Sequence, residues 1–317
     1  MIDTADAATP MESLDGILRA ELIHGEAVAG NTVAILRHLL VNQGNSVFSE
    51  EIIARVRGML ADLAMQFLDE CAPAAGDGDR ADHPQHEIDA LVEALVAEDA
   101  VVAHLHGLAV EAQLGGQLQA RHAFDPVVSP MVNAQIASSD ADASALAMNF
   151  LAAQARFVQA QRRMTLALGE LPAGRIAEAL MAMGMLMGNG DAVMTASAAV
   201  RERYDEARTR LGLAARLITR LGGDARIALD VSHAGVALFL TALAIGSGQE
   251  RDVTALSTSE AQVARLALTL RAAGMKPEGV AEQFVTLHPD IALPDGFGRL
   301  DADRAAAILA MAGGFGG

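Results

Sequence analysis

Apolar residues three and four apart recur along the whole chain, and that period constrains its fold more than any other feature. Leu14, Ile17 and Leu18 begin the pattern, Ile35, Leu36, Leu39 and Leu40 repeat it, and Ile52, Ile53, Val56, Leu60, Leu63 and Phe67 carry it on. Such spacing gathers side chains on one face of an α-helix, whereas a half-buried strand needs alternation at every second position. No segment alternates convincingly. Apolar residues make up 52% of the chain but aromatic ones only 3%, with no Trp, so the apolar mass comes mainly from Ala, Leu, Val and Met. Ala, Leu and Met head the helix propensity scale, while aromatic strand formers are scarce. The expectation is an all-α fold, an irregular array or bundle of about a dozen helices. HEAT-like stacking is one form it could take, although no fixed-period self-similarity marks a repeat.

Punctuation divides the array. Ser49 can cap a helix whose first turn has Glu50 and Glu51, and Pro73 stops it. The stretch 73–86 is rich in Asp and Gly and has no bulky apolar residue, so it is expected to be a flexible acidic linker. It separates an acidic N-terminal helical region (1–72) from a central helical domain (87–222) and a C-terminal helical region (223–317). A break is expected near Glu98 and Asp99, and Ser139 or Asp140 caps a long helix with a seam of Phe150, Ala153, Phe157, Ala160, Met164 and Ala167. Further helices are predicted over 173–187, 191–221, 230–246, 259–273, 277–287 and 301–311, with Pro277 at a first helical position and Gly274 at a helix end. The uncharged stretch 234–248 includes three Gly and is too short to cross a bilayer, so it predicts a buried helix.

Charge excludes several functions. The net charge is −17, and residues 1–100 hold 19 of the 40 acids against 5 arginines. A field of that sign repels phosphate backbones and anionic membranes, so no nucleic-acid partner is expected. The N-terminus has acids where a signal peptide has positive charge, and the single Cys71 cannot form an internal disulfide. A cytoplasmic protein is the expectation.

Three groups of side chains are candidate sites. Met181, Met183, Met185 and Met187 fall at every second position of "EALMAMGMLMGNGDAV". On a helix they split between two nearly opposite faces, and with Ile176, Leu180 and Leu186 the segment is apolar nearly all round. A central, buried helix is the first expectation. An adaptable recognition surface is the second. A thioether metal site is disfavoured by the split and by the lack of neighbouring Cys or His. His104 and His106 lie in "AHLHGLAVEAQLG", which looks somewhat like the phosphorylated helix of histidine phosphotransfer domains, although the register to Gly107 is off by one and the lysine position holds His106. Arg156, Arg162 and Arg163 occur in an acid-free stretch, with Arg156 and Arg163 seven residues apart on one helix face. They are the candidate docking surface for an acidic partner, this chain's own N-terminal third included. A second arginine-rich stretch, 201–226, is accounted for as a solvated helix face with Asp205–Arg208 and Glu206–Arg210 pairs.

No nucleophile elbow, phosphate loop, zinc-protease helix or paired-cysteine motif occurs, and no cofactor or metal is implied. Cys71, beside Asp69 and Glu70, lacks the positive surroundings of a reactive thiolate. The block from "HLHGLAVEAQL" through "ARHAFDPVVSPMVNAQIAS" to "LAAQARFVQAQRRMTLALGELPAGRIAEAL", about residues 87–190, resembles an all-helical family of domains of unknown function found in alphaproteobacteria. That resemblance implies a helical, partly HEAT-like scaffold and brings no site residues. The sequence therefore points to a non-enzymatic interaction or regulatory module with a protein partner. A phosphotransfer component using His104 or His106, or a small-molecule-binding domain lined by methionines, is the alternative.

Overall fold

Apolar stripes become helices wherever they can be buried, and the computed structural model, which describes residues 10–41, 50–72, 83–188 and 190–313, is helical throughout. Among those residues there are fifteen α-helices, linked in part by short 3-10 turns, and no strand. The first half comprises α1 (Pro10–Val41), α2 (Glu50–Cys71), α3 (Gln85–Ala97), α4 (Asp99–His122), α5 (Pro130–Ile136), α6 (Ala141–Arg162) and α7 (Ala173–Met187). The second comprises α8 (Asp191–Arg203), α9 (Arg210–Arg220), α10 (Val231–Ala234), α11 (Val236–Ser247), α12 (Arg251–Ser257), α13 (Val263–Ala272), α14 (Pro277–Leu287) and α15 (Ala302–Gly313). No helix of the described residues is long and apolar enough to cross a membrane.

Two cores share the long helices. One gathers α2, α3, the first half of α4, α7 and α8 around Phe67, Leu95, Leu105 and Met183. The other gathers the second half of α4 with α6, α9, α11, α13 and α15 around Leu118, Phe150, Phe239 and Leu268. Leu14, Leu18 and Leu22 of α1 join this second core, so α1 packs beside α15. From Ala237 to Ala244, α11 is buried at every residue, as its uncharged sequence requires.

Several boundaries fall where the sequence puts them. Helix α7 spans 173–187, α14 starts at Pro277, and Glu98 breaks α3 from α4. Asp140 caps α6 by accepting from the backbone N–H groups of Asp142 and Ala143. Ser49 and residues 73–82 lie outside the described residues. Helix α1 runs without a break through Gly25 and joins the first two apolar stretches. Two expectations are corrected. Helix α3 begins at Gln85, inside the expected linker. The helix expected over 191–221 is broken between α8 and α9, because the chain turns back on itself at 204–209. Thr209 Oγ1 accepts from the Gly212 N–H, and a Cβ on Gly212 would lie 1.9 Å from the Glu206 carbonyl oxygen. Only glycine lets the turn and α9 approach so closely.

Candidate functional site

The break before α9 determines where its arginines go. Arg210 does not pair with Glu206 on a solvated face; its side chain is fully buried between carboxylates from distant parts of the chain. Its Nε donates to Glu170 Oε2 at 2.7 Å, and its Nη1 donates to Glu111 Oε1 at 2.7 Å and to Gln154 Oε1 at 3.2 Å. The guanidinium carbon lies 3.6 Å from the centre of the Phe157 ring, a cation–π contact. Arg251 adds a second cation, with Nη2 3.0 Å from Glu111 Oε2. Burial alone would push the Glu111 carboxyl up, but Arg210 and Arg251 overcome it and hold the group at about 2. For Arg210, burial acts downward, while Glu111 and Glu170 raise its pKa above the usual arginine value. Two cations facing two carboxylates, with hydrogen bonds to most of the polar atoms, is the arrangement in which buried charge is tolerated.

His104 extends this network. Its Nδ1 is 3.0 Å from both Asp252 carboxylate oxygens, and its Nε2 is 2.9 Å from the Glu170 carbonyl oxygen. Gly107, one turn further along α4, permits the approach of α12, since a Cβ there would lie 3.1 Å from Asp252 Oδ1. His104 is 1% exposed, and both ring nitrogens are occupied. A phosphoryl acceptor needs an exposed ring nitrogen, so the phosphotransfer reading fails at His104. His106, on the other side of α4, is also buried, and burial lowers its pKa to about 4. The two histidines are buried on opposite faces of one helix.

Beside the network lies a cleft of about 670 Å³. One wall is α6, which presents Arg156, with Arg163 at its C-cap; Arg208 lines the cleft from the turn before α9, and Asp62 and Gln66 line it from α2. The segment 163–168 that follows α6 is strapped to α2. The Leu166 N–H donates to Asp62 Oδ2 at 3.0 Å, the Leu168 N–H donates to Gln66 Oε1 at 3.2 Å, and Gln66 Nε2 donates to the Leu166 carbonyl at 2.7 Å. The strap leaves α6 through Met164, whose φ of 57° is left-handed, and Gly58 of α2 makes room for it. A Cβ on Gly58 would lie 2.5 Å from the Met164 carbonyl oxygen.

The sequence-predicted arginines are thus divided. Arg156 and Arg163 line the cleft, whereas Arg162 turns toward a smaller cleft beside Arg55 and Glu51. Arg208 joins the first pair. Sequence reasoning missed it because an unbroken helix would have placed it beside Asp205. Among the described residues, no carboxylate lies within salt-bridge distance of Arg156, Arg163 or Arg208. Acids of the N-terminal third go elsewhere: Asp15 pairs with Arg304, Glu26 with Arg265 and Glu70 with Arg203.

The methionines are divided too. Met183 is 0% exposed and packs 3.6 Å from Cys71 Sγ, but Met185 is 77% exposed, and Met181 and Met187 are also on the surface. The expected central helix is a peripheral one, with α3 and α8 covering one side. Burial raises the Cys71 thiol pKa and Glu70 raises it further, so the thiol is held protonated. No cluster of three metal-ligating side chains occurs among the described residues. No family model, curated protein or solved structure matches the chain.

Proposed function

We propose that this protein is a non-enzymatic helical interaction module that docks an acidic, extended polypeptide segment of a partner in the Arg156–Arg163–Arg208 cleft. One observation carries the reading. On a chain of net charge −17, three arginines line one cleft and have no carboxylate partner among the described residues. Complementary charge steers encounter and sets register more than it adds raw affinity.

Spacing favours a segment over a single anionic group. Arg156 and Arg163 are two helical turns apart, a rise of ~10.5 Å at ~1.5 Å per residue. One phosphate cannot bridge that span, whereas an extended chain advances ~3.3 Å per residue and presents carboxylates across it.

The test is fluorescence anisotropy with a labelled decaglutamate probe at low salt, with decaglutamine as the uncharged control. Decaglutamate is expected to bind the native protein, and changing Arg156, Arg163 and Arg208 together to Ala should weaken it by about tenfold or more. Arg162→Ala, in the neighbouring cleft, should leave binding unchanged. Equal binding by the triple variant and the native protein refutes the cleft.

A further inference from the structure

A second cavity, sharing no lining residue with the arginine cleft, opens between α1, α4, α14 and the turn that joins α12 to α13. Its volume is about 650 Å³, within the range of small-molecule sites. Ile52, Val110, Leu114 and Leu287 supply buried apolar wall.

Gln262 and His288 also line the cavity, and they are only 6% and 8% exposed. Gln262 Nε2 donates to the Gly25 carbonyl, which fixes the orientation of the amide. A glycine is needed opposite it, because a Cβ on Gly25 would lie 2.9 Å from Gln262 Oε1. Gln262 Oε1 and His288 Nε2 are both buried without a hydrogen-bond partner. Native proteins satisfy the large majority of such atoms, so two unsatisfied ones lining the same cavity mark a place where another molecule completes the bonding.

We propose that this cavity binds a small, uncharged, partly apolar molecule whose hydroxyl or primary amide donates to Gln262 Oε1 and hydrogen-bonds His288 Nε2. Both groups can donate and accept, as these two partners require. Charge is selected against at the buried end. Burial lowers the pKa of both His288 and His106, so these two buried imidazoles disfavour the charged form and offer no counter-ion at the buried end. Glu260 and Arg121, of opposite sign, and His24 lie exposed at its edge, away from the buried Gln262 and His288. An ionised head group placed beside Gln262 would be desolvated without compensation.

The experiment compares 1-octanol, octanoate and octylammonium, equal in chain length and different in head-group charge, by saturation-transfer NMR and calorimetry on the full chain. Octanol is expected to bind at least about tenfold more tightly than either charged probe. His288→Leu should weaken octanol about fivefold or more through the lost bond, with helix content checked by circular dichroism. Val110→Phe adds bulk to the apolar wall and, with folding checked by circular dichroism in the same way, should abolish binding, which keeps the test decisive if the His288 variant does not fold. Arg156→Ala should leave octanol binding unchanged, so failure here is distinguishable from failure of the arginine cleft. The proposal is overturned if octanol does not bind at about 1 mM, a concentration at which even weak specific sites fill. It is equally overturned if the charged probes match octanol, or if Val110→Phe binds as the native protein does.

Discussion

Arg210→Met tests whether the buried network organises the fold. Methionine keeps an unbranched chain against Phe157 but removes the charge, leaving Arg251 as the one cation opposite Glu111 and Glu170. Breaking a buried pair by removing one partner costs about 3–5 kcal/mol, because the stranded charge stays desolvated. The lost cation–π contact overlaps with that figure, so about 4 kcal/mol of destabilisation is expected at pH 7. The pH dependence gives the sharper signature. In the native protein the Glu111 carboxyl is depressed from 4.5 to about 2. A depressed acid contributes stability that is present above its unfolded value and lost as the pH falls through its folded one, here about 3 kcal/mol lost between pH 4.5 and 2. In Arg210→Met the upward push of burial is opposed by Arg251 alone, and the folded pKa rises above the unfolded one. Protonation then stabilises the variant, and its deficit shrinks by roughly 1.4 kcal/mol per pH unit below that new pKa. Urea unfolding followed by circular dichroism at pH 7 and pH 5 measures both quantities. A deficit under about 1 kcal/mol at pH 7, within the range of ordinary surface changes, or one that widens at pH 5, refutes the reasoning.

Gly58→Ala places a methyl 2.5 Å from the Met164 carbonyl oxygen, so the strap must shift. About 1–3 kcal/mol of lost stability is expected from thermal or urea unfolding, as for overpacked cores. Met183→Ala should cost about 2–5 kcal/mol in the same assay because it empties a core position. Met185→Ala, on the exposed side of the same helix, should change stability by less than about 0.5 kcal/mol. Diethylpyrocarbonate with peptide mapping should label exposed His24, His86 and His122 before buried His104 and His106. Early labelling of His104 would show that its bonds to Asp252 and Glu170 are not those of the folded protein.

Periodicity reports burial against a neighbour, and the accuracy of the sequence reading follows from that. Phe150, Ala153 and Phe157 lie in core because α6 is covered along that side, but the seam expected to run on through Met164 and Ala167 stops with the helix at Arg162, and both of those residues are exposed. Met181 and Met185 have equally apolar neighbours in sequence, but α7 is covered on one side only, and nothing local to the helix encodes which. Ile17 and Ile35 fail for the same reason: each continues an apolar stripe and each is exposed. The turn at 204–209 was missed because neither proline nor a glycine pair marks it. Its signal was Thr209 followed by Gly212, a cap and a close approach whose meaning depends on the Glu206 carbonyl folding back. The buried network was illegible because Glu111, Glu170, Arg210 and Arg251 come from four segments that no local spacing brings together.

Asp62 lines the arginine cleft without pairing with any of its three arginines. The N–H groups of Arg163, Met164 and Thr165 bond back to α6, but those of Leu166 and Leu168 take acceptors from α2, and a buried N–H without one costs about as much as a lost hydrogen bond. Asp62 Oδ2 takes the Leu166 N–H at 3.0 Å and Gln66 Nε2 at 2.8 Å. The carboxylate holds the strap, as Glu170 holds Arg210, and neither forms an ion pair with Arg156, Arg163 or Arg208, although the charge of Asp62 still offsets part of theirs. Asp62→Asn separates the two properties of this side chain. An amide oxygen in the position of Oδ2 accepts both bonds, so stability should change by less than about 1 kcal/mol, while the cleft loses its unneutralised negative charge. Binding of decaglutamate should tighten a few-fold at low salt, with the gain disappearing as the Debye length falls to ~3 Å near 1 M salt. Asp62→Ala removes the acceptor, should destabilise by about 1–3 kcal/mol, and should loosen the strap that positions Arg163. If Asp62→Asn destabilises as much as Asp62→Ala, the charge rather than the acceptor holds the strap. If it leaves peptide binding unchanged at low salt, the acidic segment docks elsewhere.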